Sequence, residues 1–108
     1  MKKQKKCMTG IEQIKEERER QITEEGYTLE HDKMYNDPKD MVMAACIYAS
    51  LGLDKNMDHE FIHDMEDAWP WDLKYFKPKD QIRNLVRAGA LIAAALDRLG
   101  PDENKNEE

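Results

Sequence analysis

Residues 41–51 read Met-Val-Met-Ala-Ala-Cys-Ile-Tyr-Ala-Ser-Leu, a run without a charge on any face. At 100° per residue, such a run marks a helix buried all round, not an amphipathic surface helix. Asp37-Pro38 just before it supplies an N-cap and a proline at the first helical position, and Asp40 sits in the first turn near the positive end of the helix dipole. The run therefore belongs to a helix that starts at Pro38 and ends near Leu51. One small domain struggles to surround such a helix, which already points to a partner.

Working outward, Thr9 and Glu12 have capping-box spacing ahead of a stretch of helix formers that ends at Gly26. In this first helix Ile11, Ile14 and Ile22 fall on one stripe, and Arg18, Gln21 and Glu25 fall there too, so polar groups on the core side need partners. On the other side of the 41–51 run, Pro78 opens a third strong helix that Gly100-Pro101 ends. Its expected core face is Ile82, Leu85, Val86, Gly89, Ile92, Ala93 and Leu96, while Ala88, Leu91 and Ala95 extend apolar character to the opposite side. Its small residues permit close helix approach. An acidic stretch over 54–67 offers a short fourth helix before Trp69-Pro70-Trp71. No strand-like alternation occurs anywhere. The fold class is all-α, a compact bundle of three main helices plus a short one. Two all-round apolar helices in so short a chain imply a homo-oligomer.

The chain has 108 residues and a formal net charge of -6, from 17 Lys+Arg against 23 Asp+Glu. That length suits one domain, and the acidic balance argues against a general nucleic-acid coat, which needs a basic face to displace counterions. Residues 1–8 read as a disordered basic lead, 9–100 as the folded domain and 101–108 as a disordered acidic tail. The lysine-rich start lacks the apolar region of a signal peptide, and no stretch has the eighteen or so apolar residues that cross a bilayer. Cys7 and Cys46 make neither a disulfide framework nor a zinc quartet, so a cytoplasmic protein with free thiols and no membrane partner is expected.

His59-Glu60-Phe61-Ile62-His63 fits the H-E-x-x-H pattern, in which two histidines one turn apart hold zinc beside a general base. The flanking Asp58 and Asp64 fit a solvated acidic helix better than a buried active-site helix, and no later histidine completes the ligand set. His59, Glu60 and His63 are thus a secondary metal candidate.

Glu17-Arg18-Glu19-Arg20-Gln21, followed by Glu25-Gly26-Tyr27-Thr28-Leu29-Glu30-His31-Asp32, and later Arg83 through Asp97, resemble phage-encoded MazG-like all-α nucleotide pyrophosphohydrolases. The resemblance spans about residues 16–99. It implies a helical nucleotide pocket and a phage origin, hence the cytoplasm of an infected host. Enzymes of that family hold Mg²⁺ with acidic pairs on two helices. Here Glu16 and Glu19 mimic the first pair, but residues 41–51 carry no acid. The expected outcome is a nucleotide-binding protein without catalysis, one that sequesters a host immune signalling nucleotide such as a cyclic dinucleotide or an ADP-ribose derivative. Two alternatives remain: a Mg²⁺-dependent pyrophosphohydrolase using Glu16, Glu19 and acids of 58–67, and a module that docks onto a host protein.

The residue types indicate where a nucleotide would sit. Arg18, Lys77, Lys79, Arg83 and Arg87 suit phosphates. Trp69, Trp71 and Tyr27 suit stacking on a base. Gln21, Glu25, His31 and Asp32 offer hydrogen bonds to ribose or base edges. Each also has a structural explanation: Arg18 and Glu25 as a buried ion pair, Trp69 and Trp71 as core anchors, His31-Asp32 as a turn cap. The basic run around residues 77–87 could equally be a solvated face, or neutralise the 54–67 segment of a neighbouring subunit.

Overall fold

The computed structural model describes residues 7–25 and 37–100, and these form an all-α arrangement with no strand. Four helices follow in order: α1 (Gly10–Glu25), α2 (Pro38–Leu51), α3 (His59–Ala68) and α4 (Gln81–Leu99), with a 3₁₀ turn at Leu73–Tyr75 between α3 and α4. Of the expected tails at 1–8 and 101–108, residues 1–6 and 101–108, Pro101 among them, lie outside the described residues, as does the glycine stop at Gly26.

Local chemistry sets the helix starts. At α1 the capping box closes both ways: Thr9 N–H donates to Glu12 Oε1 at 2.8 Å, and Glu12 N–H donates to Thr9 Oγ1 at 3.1 Å. Asp37 caps α2 by accepting from Lys39 N–H at 2.8 Å, with Pro38 at the first helical position. Asp58 accepts from Phe61 N–H at the head of α3. Pro78, expected to open the last helix, lies three residues ahead of it. Asp80 is the true N-cap, accepting from Arg83 N–H at 2.8 Å, because its carboxylate satisfies an orphan donor that a proline leaves open. Gly100 closes α4 with φ 97°, a left-handed conformation that favours glycine.

Helix α4 is the spine, with α2 along one side and α1 across another. Ala44, Ala45, Ile47, Tyr48 and Leu51 of α2 pack with Ala88 and Leu91 of α4 and with Trp69. Met41 packs with Ala94 and Ala95, and Trp71 bridges the two clusters. Phe61, Ile62 and Met65 of α3 close the first cluster from outside.

Two expectations about faces are corrected. On α4, Ile82, Leu85, Ile92 and Leu96, read as the core face, are exposed, whereas Ala88, Ala90, Leu91, Ala94 and Ala95 are buried. The alanines win the core because two helices must approach the spine closely, and the bulky aliphatic residues are left on the third side. On α1, Arg18 and Gln21 are buried against α4 as expected, and Glu17 with them, but Ile11, read on the same stripe, is 80% exposed. Glu17 and Arg18 have partners on α4, Arg83 and Asp97, whereas Gln21 donates to Glu17 of its own helix.

Candidate functional site

A cleft opens where α1 crosses α4 beside α2 and the Trp69–Lys77 loop. Glu17, Arg20, Gln21, Tyr48, Trp69, Trp71, Tyr75, Lys77, Arg87 and Leu91 line it. Its interior is a narrow cavity of about 40 Å³, room for roughly three waters. A larger ligand would therefore enter by one group and rest its bulk on the mouth.

Glu17 organises the floor. Its carboxylate is wholly removed from solvent and receives four donors. Arg20 reaches both oxygens, Nε to Oε1 at 3.0 Å and Nη2 to Oε2 at 2.8 Å. Gln21 Nε2 donates to Oε2 at 3.2 Å, and Arg83 Nη2, from α4, donates to Oε1 at 2.6 Å. Arg87 Nε stands 3.9 Å from Oε2. Burial alone would push the Glu17 carboxyl up. The hydrogen bond and charge of Arg20, the charge of Arg83 and the Gln21 amide outweigh it, and the group is held below the ordinary 4.5. Glu17 is thus an anion inside the cleft, and the arginines are aimed by it.

The wall is aromatic. Trp69 meets Tyr48 and Trp71 edge to face, with ring centroids 5.4 and 5.5 Å apart. Trp69 Nε1 donates to the Asp72 carbonyl at 3.2 Å, and Asp72 caps the 3₁₀ turn through Lys74 N–H. Pro70 ends α3 because it cannot continue a helical ladder, and so places a tryptophan on each side of the bend. Lys77 is pinned by its backbone: its N–H donates to Tyr48 Oη at 3.0 Å, and its carbonyl accepts from Arg87 Nη1. The Arg87 guanidinium also lies over the Tyr48 ring, 5.9 Å from its centroid.

Arg20, Lys77 and Arg87 against Glu17 leave three cations to one carboxylate on the lining, with Glu24 3.8 Å from Arg20 just beyond it. This cationic lining stands in a chain with a net charge of -6. Two buried polar atoms on the lining, Gln21 Oε1 and Arg87 Nε, have no hydrogen-bond partner.

Of the residues singled out in the sequence, the cleft gathers Gln21, Trp69, Trp71, Lys77 and Arg87, with Arg83 behind them on Glu17. Arg18 is elsewhere, 3.6 Å from Asp97. Lys79 borders a separate recess with Asp54, Lys55, Asn56 and Gln81. That recess is roomier, about 270 Å³, but its buried amide is spoken for: Asn84 Oδ1 accepts from Lys79 N–H and Asn84 Nδ2 donates to the Lys79 carbonyl. We therefore place the site in the narrower cleft. The side chain of Glu25, and Tyr27, His31 and Asp32, lie outside the described residues. Glu17, Arg20, Tyr48 and Tyr75 were missed as site residues. The three-residue spacing of Glu17 and Arg20 was the available signal for the first two.

The residues of an acid-held Mg²⁺ site do not come together among the described residues. Glu16 and Glu19 are exposed on α1, Glu19 pairing with Lys15 at 3.7 Å, and both Glu17 oxygens serve arginines. The one described grouping with metal-ligand spacing is His63, Asp64 and Asp67 on α3, fully exposed, with neither His59 nor Glu60 in it. His63 Nδ1 lies 3.4 Å from Asp67 Oδ2. Both cysteines are free and exposed, and no described helix is long and apolar enough to cross a membrane. No family model, curated protein or solved structure matches the chain.

Proposed function

We propose that this protein binds a nucleotide in the α1–α4 cleft and leaves it uncleaved. The observation that carries the reading is the surplus of positive charge beside tryptophan and tyrosine rings, in a chain that is otherwise acidic. Phosphate oxygens suit Arg20, Lys77 and Arg87, because charge-assisted bonds to guanidinium groups are short and directional. A base stacks on the exposed edge of the wall at Trp71 and Tyr75, an interaction worth about 1–3 kcal/mol in nucleic-acid complexes. The free acceptor of Gln21 suits an N–H or O–H of the ligand.

Binding without cleavage is the better reading because the described residues do not fit a Mg²⁺ cage. The buried carboxylate that could bridge a cation to phosphate is saturated by arginines. The resemblance to phage-encoded MazG-like proteins supports a role in the infected cell, where a binder that does not turn its ligand over sequesters it. A host immune signalling nucleotide is the ligand this reading favours.

The test is a thermal-shift panel on the purified protein with cyclic dinucleotides, cyclic ADP-ribose isomers, dNTPs and NAD, followed by chromatography of the recovered ligand. Ligand binding raises the melting temperature by an amount that grows with concentration over Kd. A hit recovered intact, and lost in Lys77→Ala, supports the reading. Recovery of a pyrophosphate-cleaved product in the presence of Mg²⁺ would replace it with the hydrolase.

A further inference from the structure

The spine helix α4 has three sides; the described helices cover two of them and touch the third at Gly89 alone. Ala88, Leu91 and Ala95 face α2, while Arg83, Gly89 and Asp97 meet Glu17, Ile14 and Arg18 of α1. The third side is an arc of about 100° on the helical wheel holding Ile82, Leu85, Gly89, Ile92, Leu96 and Leu99. No charged residue interrupts it. The spacing between successive members is three, four, three, four and three, the alternation of a coiled-coil seam. A lone surface helix would carry polar residues there.

We infer that this side is the interface with a second copy of the chain, with the two α4 helices antiparallel about a two-fold axis between residues 89 and 92. The stripe is complementary to itself in that register: Ile82 meets Leu99 of the second copy, Leu85 meets Leu96, and Ile92 meets the Ile14 side chain that lies on Gly89. Both halves of the stripe are then used, and at the centre the Ile14 that covers Gly89 belongs to the contact. A symmetric contact of this kind puts one surface patch on both subunits.

The area supports a second copy over a small ligand. The five large side chains are 45 to 67% exposed and Ile11, one turn before the Ile14 that touches Gly89, is 80% exposed. Together they present on the order of 600 Å² of apolar surface, the top of the range for the largest patch on an ordinary monomer. Two such faces reach the roughly 1,200 Å² at which specific protein interfaces begin. Leu85 also packs on Gly52, so the stripe borders the end of α2 and extends the contact there.

Light scattering on the eluting full chain tests the assembly. The expected mass is twice 12.7 kDa. Ile92→Glu with Leu96→Glu should return the mass to 12.7 kDa with the helical circular dichroism kept, since neither side chain belongs to the core clusters. Leu73→Glu, the same kind of change at an exposed leucine outside the stripe, should leave the doubled mass. A wild-type chain of single mass, or a double variant that stays helical at the doubled mass, overturns the proposal. Cross-linking without added charge tests the register, on a Cys7→Ser, Cys46→Ser background. Leu85→Cys and Leu96→Cys proteins should cross-link when mixed, and neither should cross-link alone. Self-cross-linking of either would refute the antiparallel seam.

Discussion

At the residue scale, Glu17 is the group on which most depends. Three arginines and an amide point at one carboxylate with no exposed surface, so its loss leaves cations facing one another. Glu17→Gln should cost roughly 3 kcal/mol of stability, the scale on which breaking a buried pair acts. The pH dependence follows from the sign of the shift. The folded-state carboxyl titrates below its ordinary 4.5, so the stabilisation is present in full above that value and drains as pH falls through the lower folded one. In chemical denaturation, the gap between wild type and Glu17→Gln should stay constant near neutrality and narrow on acidification below the ordinary value. A gap that held its size into strong acid would contradict an ionised Glu17. The Glu17 and Arg20 spacing was readable in the sequence, but Arg83 lies 66 residues away along the chain. Only the crossing of α1 over α4 brings the two together.

At the element scale, that crossing rests on a glycine. A Cβ built at Gly89 would lie 2.4 Å from Ile14 Cδ1 and 2.8 Å from Cγ1, so Gly89→Ala forces Ile14 out of its rotamer or lifts α1. Alanine gains up to about 1 kcal/mol in helix propensity, yet overpacking costs about 1–3 kcal/mol. We expect a net loss that disappears when Ile14→Ala is added, read as the coupling in a double-mutant cycle. Additive effects would place α1 elsewhere. The caps tell a simpler story: Asp80→Ala should remove about 1 kcal/mol, with the loss read in the urea midpoint. Caps were legible because they are local: Thr9 with Glu12 and Asp37 with Pro38 act within three residues. The side of α4 that faces inward was not legible. Both its aliphatic stripe and its alanine stripe are apolar, and the choice depends on how closely neighbouring helices approach.

At the scale of the whole molecule, the described residues of an acidic chain form a positive cleft, and salt should discriminate against its ligand. If phosphate contacts dominate, affinity falls steadily as ionic strength rises, because screening acts on the charge term and leaves stacking untouched. The fold class was visible in composition and periodicity; α2 forms where its charge-free run predicts, but it is not buried all round, since Val42, Met43, Cys46 and Ala49 are exposed. The site was half visible, since tryptophans and basic residues stand out in the sequence, whereas the carboxylate that gathers them looks like any other surface glutamate of α1. The chain has two tryptophans, Trp69 and Trp71, and both line the cleft. Intrinsic tryptophan fluorescence therefore reports on the cleft alone. The most direct measurement is a fluorescence titration with nucleotides and, in parallel, with the matching nucleosides. The account predicts saturable quenching by a phosphorylated ligand, weakened at least tenfold in Lys77→Ala and absent with the nucleoside. Unchanged emission across the whole nucleotide panel, from a protein shown to be folded, would contradict it.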